Sequence, residues 1–311
     1  MSKHSKWRAL ACVCALLAVA GCNKESQTAA DASAKDDGPV RVLDKGQRPR
    51  AELRYSIPAG TTTASATTFR VATLATSSEN AAVTLLPGLR LDIVSGPSEL
   101  TERGVKFNVD VVKSEAVVPE GFDEELGQQL RDGATIASDI GGWIEVDNRG
   151  NMLAGELNER TKRADVPIRL LRMILNTRET LTRVLLPEQK LGLGARWETH
   201  KEINAYGFTV KQVNTYTLVD RVGEEVMLNV TVQQIAMPQT IEFPDEGIQI
   251  SVETMTGHAE GQIILNLGAL ESDASANGTG EDSLIVKTPE GTDRVEISEE
   301  FEIQIANTSA L

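Results

Sequence analysis

Histidine, cysteine and aromatic residues are scarce in this chain. Of its 311 residues three are His, three are Cys and 4% are aromatic. All three cysteines, Cys12, Cys14 and Cys22, lie in the first 22 residues, so the body has no pair from which to form a disulfide. Only His200 and His258 lie beyond residue 22, too few for a zinc site built on paired His or Cys, and no Gly-x-Ser-x-Gly elbow offers a nucleophile to a base. No Gly-Lys-Ser/Thr phosphate loop or dinucleotide fingerprint occurs, so no cofactor is expected, and neither catalytic nor metal-ligating residues are assigned. Basic residues are outnumbered, 31 against 45 acidic, which makes nucleic acid and bare anionic lipid poor partners of the chain as a whole. Few aromatics also means few stacking platforms for a sugar cleft. Carboxylate pairs are plentiful, but in an acidic chain their number supports no particular hydrolase.

The leader, in contrast, is informative. Lys3, Lys6 and Arg8 precede an apolar run from Ala9 to Ala20. That run is too short for a bilayer-spanning helix of about 20 residues, so residues 1–21 read as a cleavable signal peptide. The run ends in Val19-Ala20-Gly21-Cys22, which resembles the lipobox of bacterial prolipoproteins. The resemblance covers the leader alone. It implies diacylglyceryl transfer to the Cys22 thiol, cleavage after Gly21 and acylation of the new amino terminus, palmitate being the typical chain. Two or more acyl chains, at about 0.8 kcal/mol per buried CH₂, hold a protein stably to a membrane. Asn23 stands where Asp commonly retains such proteins in the inner membrane, so the resemblance implies outer-membrane placement, with the periplasmic or outside orientation left open. Loss of the leader moves the formal charge from −14 to −17.

Residues 22–50 are rich in Ala, Ser, Asp, Lys and Gly with few large apolar side chains, and read as the lipidated Cys and a flexible tether with a reach of roughly 30 Å. Residues 51–307 read as one β-rich domain. Alternation at period two recurs in Phe69-Val71, Leu89-Leu91-Ile93, Val105-Phe107-Val109-Val111, Phe208-Val210, Val226-Leu228-Val230-Val232, Ile248-Ile250-Val252 and Ile263-Leu265-Leu267. Turn chemistry at Ser95-Gly96-Pro97, Asp147-Asn148-Arg149-Gly150 and Pro289-Glu290-Gly291 separates such strands. The fold class expected is mainly β (α+β): an antiparallel meander forming one or more curved sheets.

Two segments interrupt the alternation. Residues 120–132, with Phe122, Leu126 and Leu130 before Gly133, predict a short helix. Residues 165–186 predict a long amphipathic helix, with Pro167 in its first turn, Leu170, Ile174, Leu181, Val184 and Leu185 on one face, and Pro187 at its end. An echo between Val105–Val111 and Val226–Val232 suggests a duplicated β unit, with halves 51–160 and 190–307 joined by that helix. Asp273–Glu281 imitates a calcium loop, but Leu284 occupies the place of the bidentate Glu, which favours a solvated hairpin loop. Trp143 and Trp197 are expected in the core. The strands of residues 284–305 read as a sheet edge protected by charge.

These readings favour a membrane-anchored envelope lipoprotein with a non-enzymatic β domain that binds an apolar ligand or a protein partner. A carboxylate-dependent hydrolase and a structural or assembly protein are the alternatives.

Overall fold

Alternating Val, Ile, Leu and Phe cannot bury one face of a strand unless neighbouring strands bring their apolar faces to the same side. In the computed structural model of this chain that demand is met by a single sheet. The structure describes residues 39–77, 81–118, 122, 124–134, 140–159, 177–205, 208–243 and 247–308. Its strands are β1 (Val40–Asp44), β2 (Thr63–Ser77), β3 (Ala81–Ser95), β4 (Glu99–Leu100), β5 (Val105–Val117), β6 (Ile140–Val146) and β7 (Met152–Glu159) in the first half. The second half supplies β8 (Arg196–Ala205), β9 (Phe208–Val222), β10 (Glu225–Ala236), β11 (Gln239–Phe243), β12 (Ile248–Asn266), β13 (Asp273–Thr288) and β14 (Gly291–Thr308). All 14 strands join one sheet in the order β1-β8-β9-β10-β12-β13-β14-β2-β3-β5-β6-β7, with β11 on β12 and β4 on β5. Every pairing is antiparallel.

Two meanders are visible in that order, β2 to β7 and β8 to β14. They meet where β14 lies along β2, from Val295↔Ser77 to Thr308↔Ala64. The segments of the internal echo, β5 and β10, are each the third long strand of their meander. The expected turns at residues 95–97, 147–150 and 289–291 fall where one strand ends and the next begins. Residues 284–305, expected at an edge, lie instead in the middle of the sheet, because β14 is paired on both sides. Among the described residues the edges are β1 and β7. The tether is also shorter than expected, since β1 lies within residues 22–50 and pairs with β8.

The chain is nearly all β, which corrects the expectation of a long amphipathic helix. The short helix is present as α1 (Glu124–Ala134). Of the long one, residues 160–176 lie outside the described residues. Residues 177–182 are helical, a bend follows at Arg183, and irregular chain runs on to β8. The reason is that strands and loops satisfy this segment's backbone in place of a helical ladder. The Val184 N–H donates to the Tyr55 hydroxyl, 3.1 Å away, and the Leu186 N–H to the Arg149 carbonyl at 2.8 Å. The Leu185 carbonyl accepts from Trp197 Nε1 at 3.1 Å. Leu181, Val184 and Leu186 are buried at no more than 1% exposure, each as a separate plug side chain. The spacing that resembled a helical stripe is thus used by a chain threaded into the sheet's interior.

A second threaded segment, residues 51–57, enters beside it. Ala51 pairs with Leu191, the Tyr55 N–H donates to Asn148 O and the Ser56 N–H to Leu267 O. These bonds reach the β6–β7 turn near one edge, the loop before β13 in the middle, and the approach to β8 near the other edge. They require the sheet to curl around both segments. Leu53, Ile57, Leu181, Val184, Leu186 and Leu191 accordingly share one core with Phe69, Leu91, Phe107, Ile144, Trp197, Tyr216, Leu228 and Ile303. Trp197 stacks on Tyr216 at 5.4 Å between ring centroids, as expected for a core residue. Trp143 is only partly buried and carries the Lys106 ammonium 4.3 Å from its ring centre.

Trp197→Ala removes the largest fully buried side chain and orphans the Leu185 carbonyl. It is expected to lower unfolding free energy by roughly 3–5 kcal/mol, whereas Leu43→Ala on the surface changes it by less than about 0.5 kcal/mol, read from urea denaturation midpoints.

Candidate functional site

Polar residues buried on the inner face, where alternation calls for apolar ones, mark the places where the sequence departs from simple core formation. The first group fastens the plug. Arg178 and Glu271, each with a side chain 3% exposed, approach at 2.7 Å between Nη2 and Oε2. Arg178 Nη2 also donates to Ser65 Oγ at 3.1 Å, and Ser95 Oγ donates to Glu271 Oε1 at 2.5 Å. Ser272 Oγ donates to the Thr182 carbonyl at 3.2 Å. Strands β2 and β3 and the loop before β13 therefore hold the helical turn from three sides. Among the described residues Arg178 Nε has no hydrogen-bond partner, and the contact to Oε2 lacks the alignment of a hydrogen bond, so the pair is held by Coulomb attraction rather than by a bidentate fork.

The second group forms a belt. Register places Lys201, Gln212, Gln234, Gly257, Gly280, Glu299 and Thr73 side by side on β8, β9, β10, β12, β13, β14 and β2. Their phase matches that of Trp197, Phe208, Val230, Ile263, Ala276, Ile303 and Phe69, so the row lies on the inner face. Lys201 Nζ donates to Thr180 Oγ1 at 2.7 Å, Gln234 Nε2 to Gln212 Oε1 at 2.8 Å, and Gln212 Nε2 to Asn214 Oδ1 at 2.7 Å. Burial depresses the Lys201 ammonium below its ordinary range. At Gly257 an added Cβ would stand 2.9 Å from Gln234 Oε1, so the bare backbone leaves room for the amide. Gly278, one inner position away, lies beneath the Phe301 ring, which stacks on Phe69 at 6.0 Å.

The belt divides two apolar regions. On one side is the plugged core. On the other, Ala75, Phe208, Val210, Ala236, Ile250, Val252, Met255, Leu284, Val286, Val295 and Ile297 form a separate cluster. Every residue in it belongs to a strand, and none comes from the plug.

At the belt's acidic end Asp282 faces inward, diagonal to Glu299 on the neighbouring strand. Burial first, and then the Glu299 charge, raise the Asp282 pKa to about 7. Burial likewise raises Glu299, partly offset by Thr73, whose hydroxyl stands 3.5 Å away. The sequence concealed this pair among 45 acidic residues. The available signal was an acid in the inward phase of an apolar strand, as in Ile297-Ser298-Glu299-Glu300-Phe301.

The other residues considered from sequence fall elsewhere. Cys22 lies outside the described residues. His200 and His258 are half-exposed on the outer face, beside Glu198 at 3.3 Å and Glu260 at 3.4 Å. They line a shallow outer depression of about 690 Å³, with Val213 and Gln233 between them along the register. The calcium-like stretch is not a loop. Asp273–Glu281 is the first part of β13, paired with both β12 and β14. Among the described residues no cluster of three or more His, Cys, Asp or Glu is arranged to hold a metal, and no helix is long and apolar enough to cross a membrane.

No protein-family model matches the chain, and no curated protein matches it. Among solved structures it is similar to lipovitellin, from a study of lipid–protein interactions, at a TM-score of 0.41 and 11% identity over 82% of this chain. The chain spans 26% of that lipovitellin chain. It is also similar to Pseudomonas aeruginosa OccK8 (OprE), at a TM-score of 0.19 and 8% identity, over 82% of this chain and 100% of the other. An outer-membrane channel of Pseudomonas putida F1 gives 0.15 and 10%, over 81% and 97%. At these TM-scores none of the three transfers a ligand or an activity.

A carboxyl whose folded pKa is about 7, against an ordinary value near 4, gives the folded state a proton that the unfolded state releases earlier. The stability from that proton is full below pH of about 4 and is lost as pH rises through about 7. Asp282→Asn is therefore expected to flatten the fall in urea midpoint between pH 5 and pH 8 and to raise the midpoint at pH 8. An unchanged slope in the variant rules out Asp282 as its source.

Proposed function

We propose that this chain is a lipid-anchored protein of the cell envelope whose sheet binds an apolar or amphiphilic ligand on its inner face, beyond the belt. The anchor rests on Val19-Ala20-Gly21-Cys22 after a short apolar leader, with Cys22 the acylated residue, Asn23 favouring the outer membrane, and the acyl chains as the membrane contact. The binding rests on one observation: the second apolar cluster is built from strands alone and is bounded by a row of buried polar side chains. A hydrocarbon chain entering beside Ile250, Val252 and Met255, which are already buried, gains about 25 cal/mol per Å² of its own surface removed from water. A polar end of the same molecule meets Gln234 and Gln212 on one side and Asp282 and Glu299 on the other. Amphiphiles match that division better than plain hydrocarbons.

Purified protein stripped of lipid with organic solvent and refolded is expected to bind a fluorescent fatty-acyl probe saturably. Met255→Trp, which fills space beside the belt, is expected to weaken that binding about tenfold while leaving the unfolding free energy from urea denaturation within about 1 kcal/mol. Absence of saturable binding, together with no lipid co-purifying in native mass spectrometry, overturns the reading.

The Asp282–Glu299 pair favours a second reading, a carboxylate-dependent hydrolase. A carboxyl that retains its proton toward neutrality suits a general acid, and Glu299 beside it is the candidate base. Hydrolysis of ester or glycoside substrates abolished by both Asp282→Asn and Glu299→Gln would establish it, and activity surviving both changes removes it.

A further inference from the structure

We propose that the rim of the sheet beside β1 is the surface on which the domain rests on the bilayer, a step that depends on the reading of Cys22 as the anchor. Four large aliphatic side chains are exposed along this rim: Leu43 at 41%, Leu193 at 46%, Val219 at 42% and Val222 at 72%. They occupy neighbouring elements. Leu43 is the bulged residue between the pairs Val42↔Trp197 and Asp44↔Arg196. The Gln47 N–H donates to the Leu193 carbonyl, and the Gly194 N–H to the Leu218 carbonyl, both at 2.8 Å, which sets Leu193 between the end of β1 and the end of β9. Val219 follows Leu218, and Val222 stands at the β9–β10 tip opposite Glu225.

Cations are better represented around them than in the chain as a whole, about as numerous as the acids. Lys45, Arg48, Arg50, Lys190 and Arg196 are exposed here in a protein of net charge −14. Acids stand among them: Asp44 and Asp220 each accept a backbone N–H, from Gly46 and Arg221, through Oδ1 and keep their charge, and Glu52 and Glu188 are exposed nearby. Glu224 and Glu225 at the tip remain as negative charges. Aliphatic residues interspersed with cations suit the boundary between anionic headgroups and acyl chains. A protein-binding patch of this size would be expected to concentrate aromatic anchors and to shed lysine.

The tether favours the same occupant. Seventeen residues separate Cys22 from Val40, the first residue of β1, so they hold that strand within about 60 Å of the anchored sulfur even when fully extended. A surface confined that close to headgroups meets them at high effective concentration, and weak contacts then suffice.

The test uses the full mature chain carrying either Leu193→Cys or Met237→Cys, labelled with an environment-sensitive thiol dye. Met237 is 60% exposed just beyond the opposite end of β10, about 40 Å away along the strand. In vesicles of phosphatidylethanolamine and phosphatidylglycerol, the dye at position 193 is expected to shift to the blue and to lose quenching by aqueous iodide, while that at 237 does neither. Leu193→Asp with Val222→Asp, read with the dye at Val219→Cys, is expected to restore quenching. The mass of the N-terminal peptide reports acylation of Cys22 separately. An acylated chain whose dye at 193 stays quenched overturns the rim proposal and leaves the anchor intact. An unacylated Cys22 overturns the anchor reading, and the rim is then judged by adding the same vesicles to a Cys22→Ser chain, where an unshifted dye overturns it too. A concentration-dependent shift without vesicles identifies a second copy as the occupant and also overturns it.

Discussion

A wide antiparallel sheet with one apolar face must cover that face, and this protein does so with its own connecting chain. The core forms because segments 51–57 and 177–195 thread into the curl and pack Leu53, Leu181, Val184 and Leu186 against residues from both meanders. No disulfide is available beyond residue 22 to hold the curl closed. The closing forces are therefore apolar burial and the hydrogen bonds that tie the threaded backbone to the β6–β7 turn, the loop before β13 and the approach to β8. The pairing of β14 with β2 follows from the same requirement, since it makes one continuous wall of two meanders that would otherwise each expose an apolar face.

The belt depends on that wall being continuous. Lys201, Gln212, Gln234 and Glu299 come from strands spread over a hundred residues and become a row only through the register of each hairpin. A one-residue slip in any pairing would move its member to the outer face. Lys201 and Glu299, at the two ends of the row, do not pair, because five strand spacings, roughly 24 Å, separate them. Each end instead finds a local solution: Lys201 bonds to Thr180 on the plug, and Asp282 keeps a proton toward neutral pH.

The strands were legible in the sequence because period-two alternation is a local property and the turns between them carry Gly, Pro and Asn-Asp chemistry. The long helix was misread for a physical reason as well. Leu181, Val184 and Leu185 have helical spacing, but spacing specifies a helix only when the backbone has no better hydrogen-bonding partners, and here Tyr55, Arg149 and Trp197 supply them from far away in sequence. The belt left a local trace, a Gln or Glu at the inward phase of an otherwise apolar strand, as in Phe208-Val210-Gln212. What the trace lacks is the identity of the neighbours, which pairing alone decides. The lipobox-like leader is a different case, since it is read in one dimension and owes nothing to the fold.

The buried Arg178–Glu271 pair makes sense in terms of register rather than strength. Removing two charges from water costs several kcal/mol per ion, and apolar residues of similar volume would often stabilise the same site as well or better. Apolar contacts, however, are non-directional, and a threaded segment offering Leu181, Val184, Leu185 and Leu186 in near succession has several ways to fill the same space. Arg178 can reach Glu271 and Ser65 together, with Ser272 bonded to Thr182, in only one of them. A shift that parted Arg178 from Glu271 would leave a buried charge without its partner, at a cost of about 3–5 kcal/mol. The pair thus fixes where the plug ends and the belt begins, and with it the separation of the filled core from the strand-only cluster beyond.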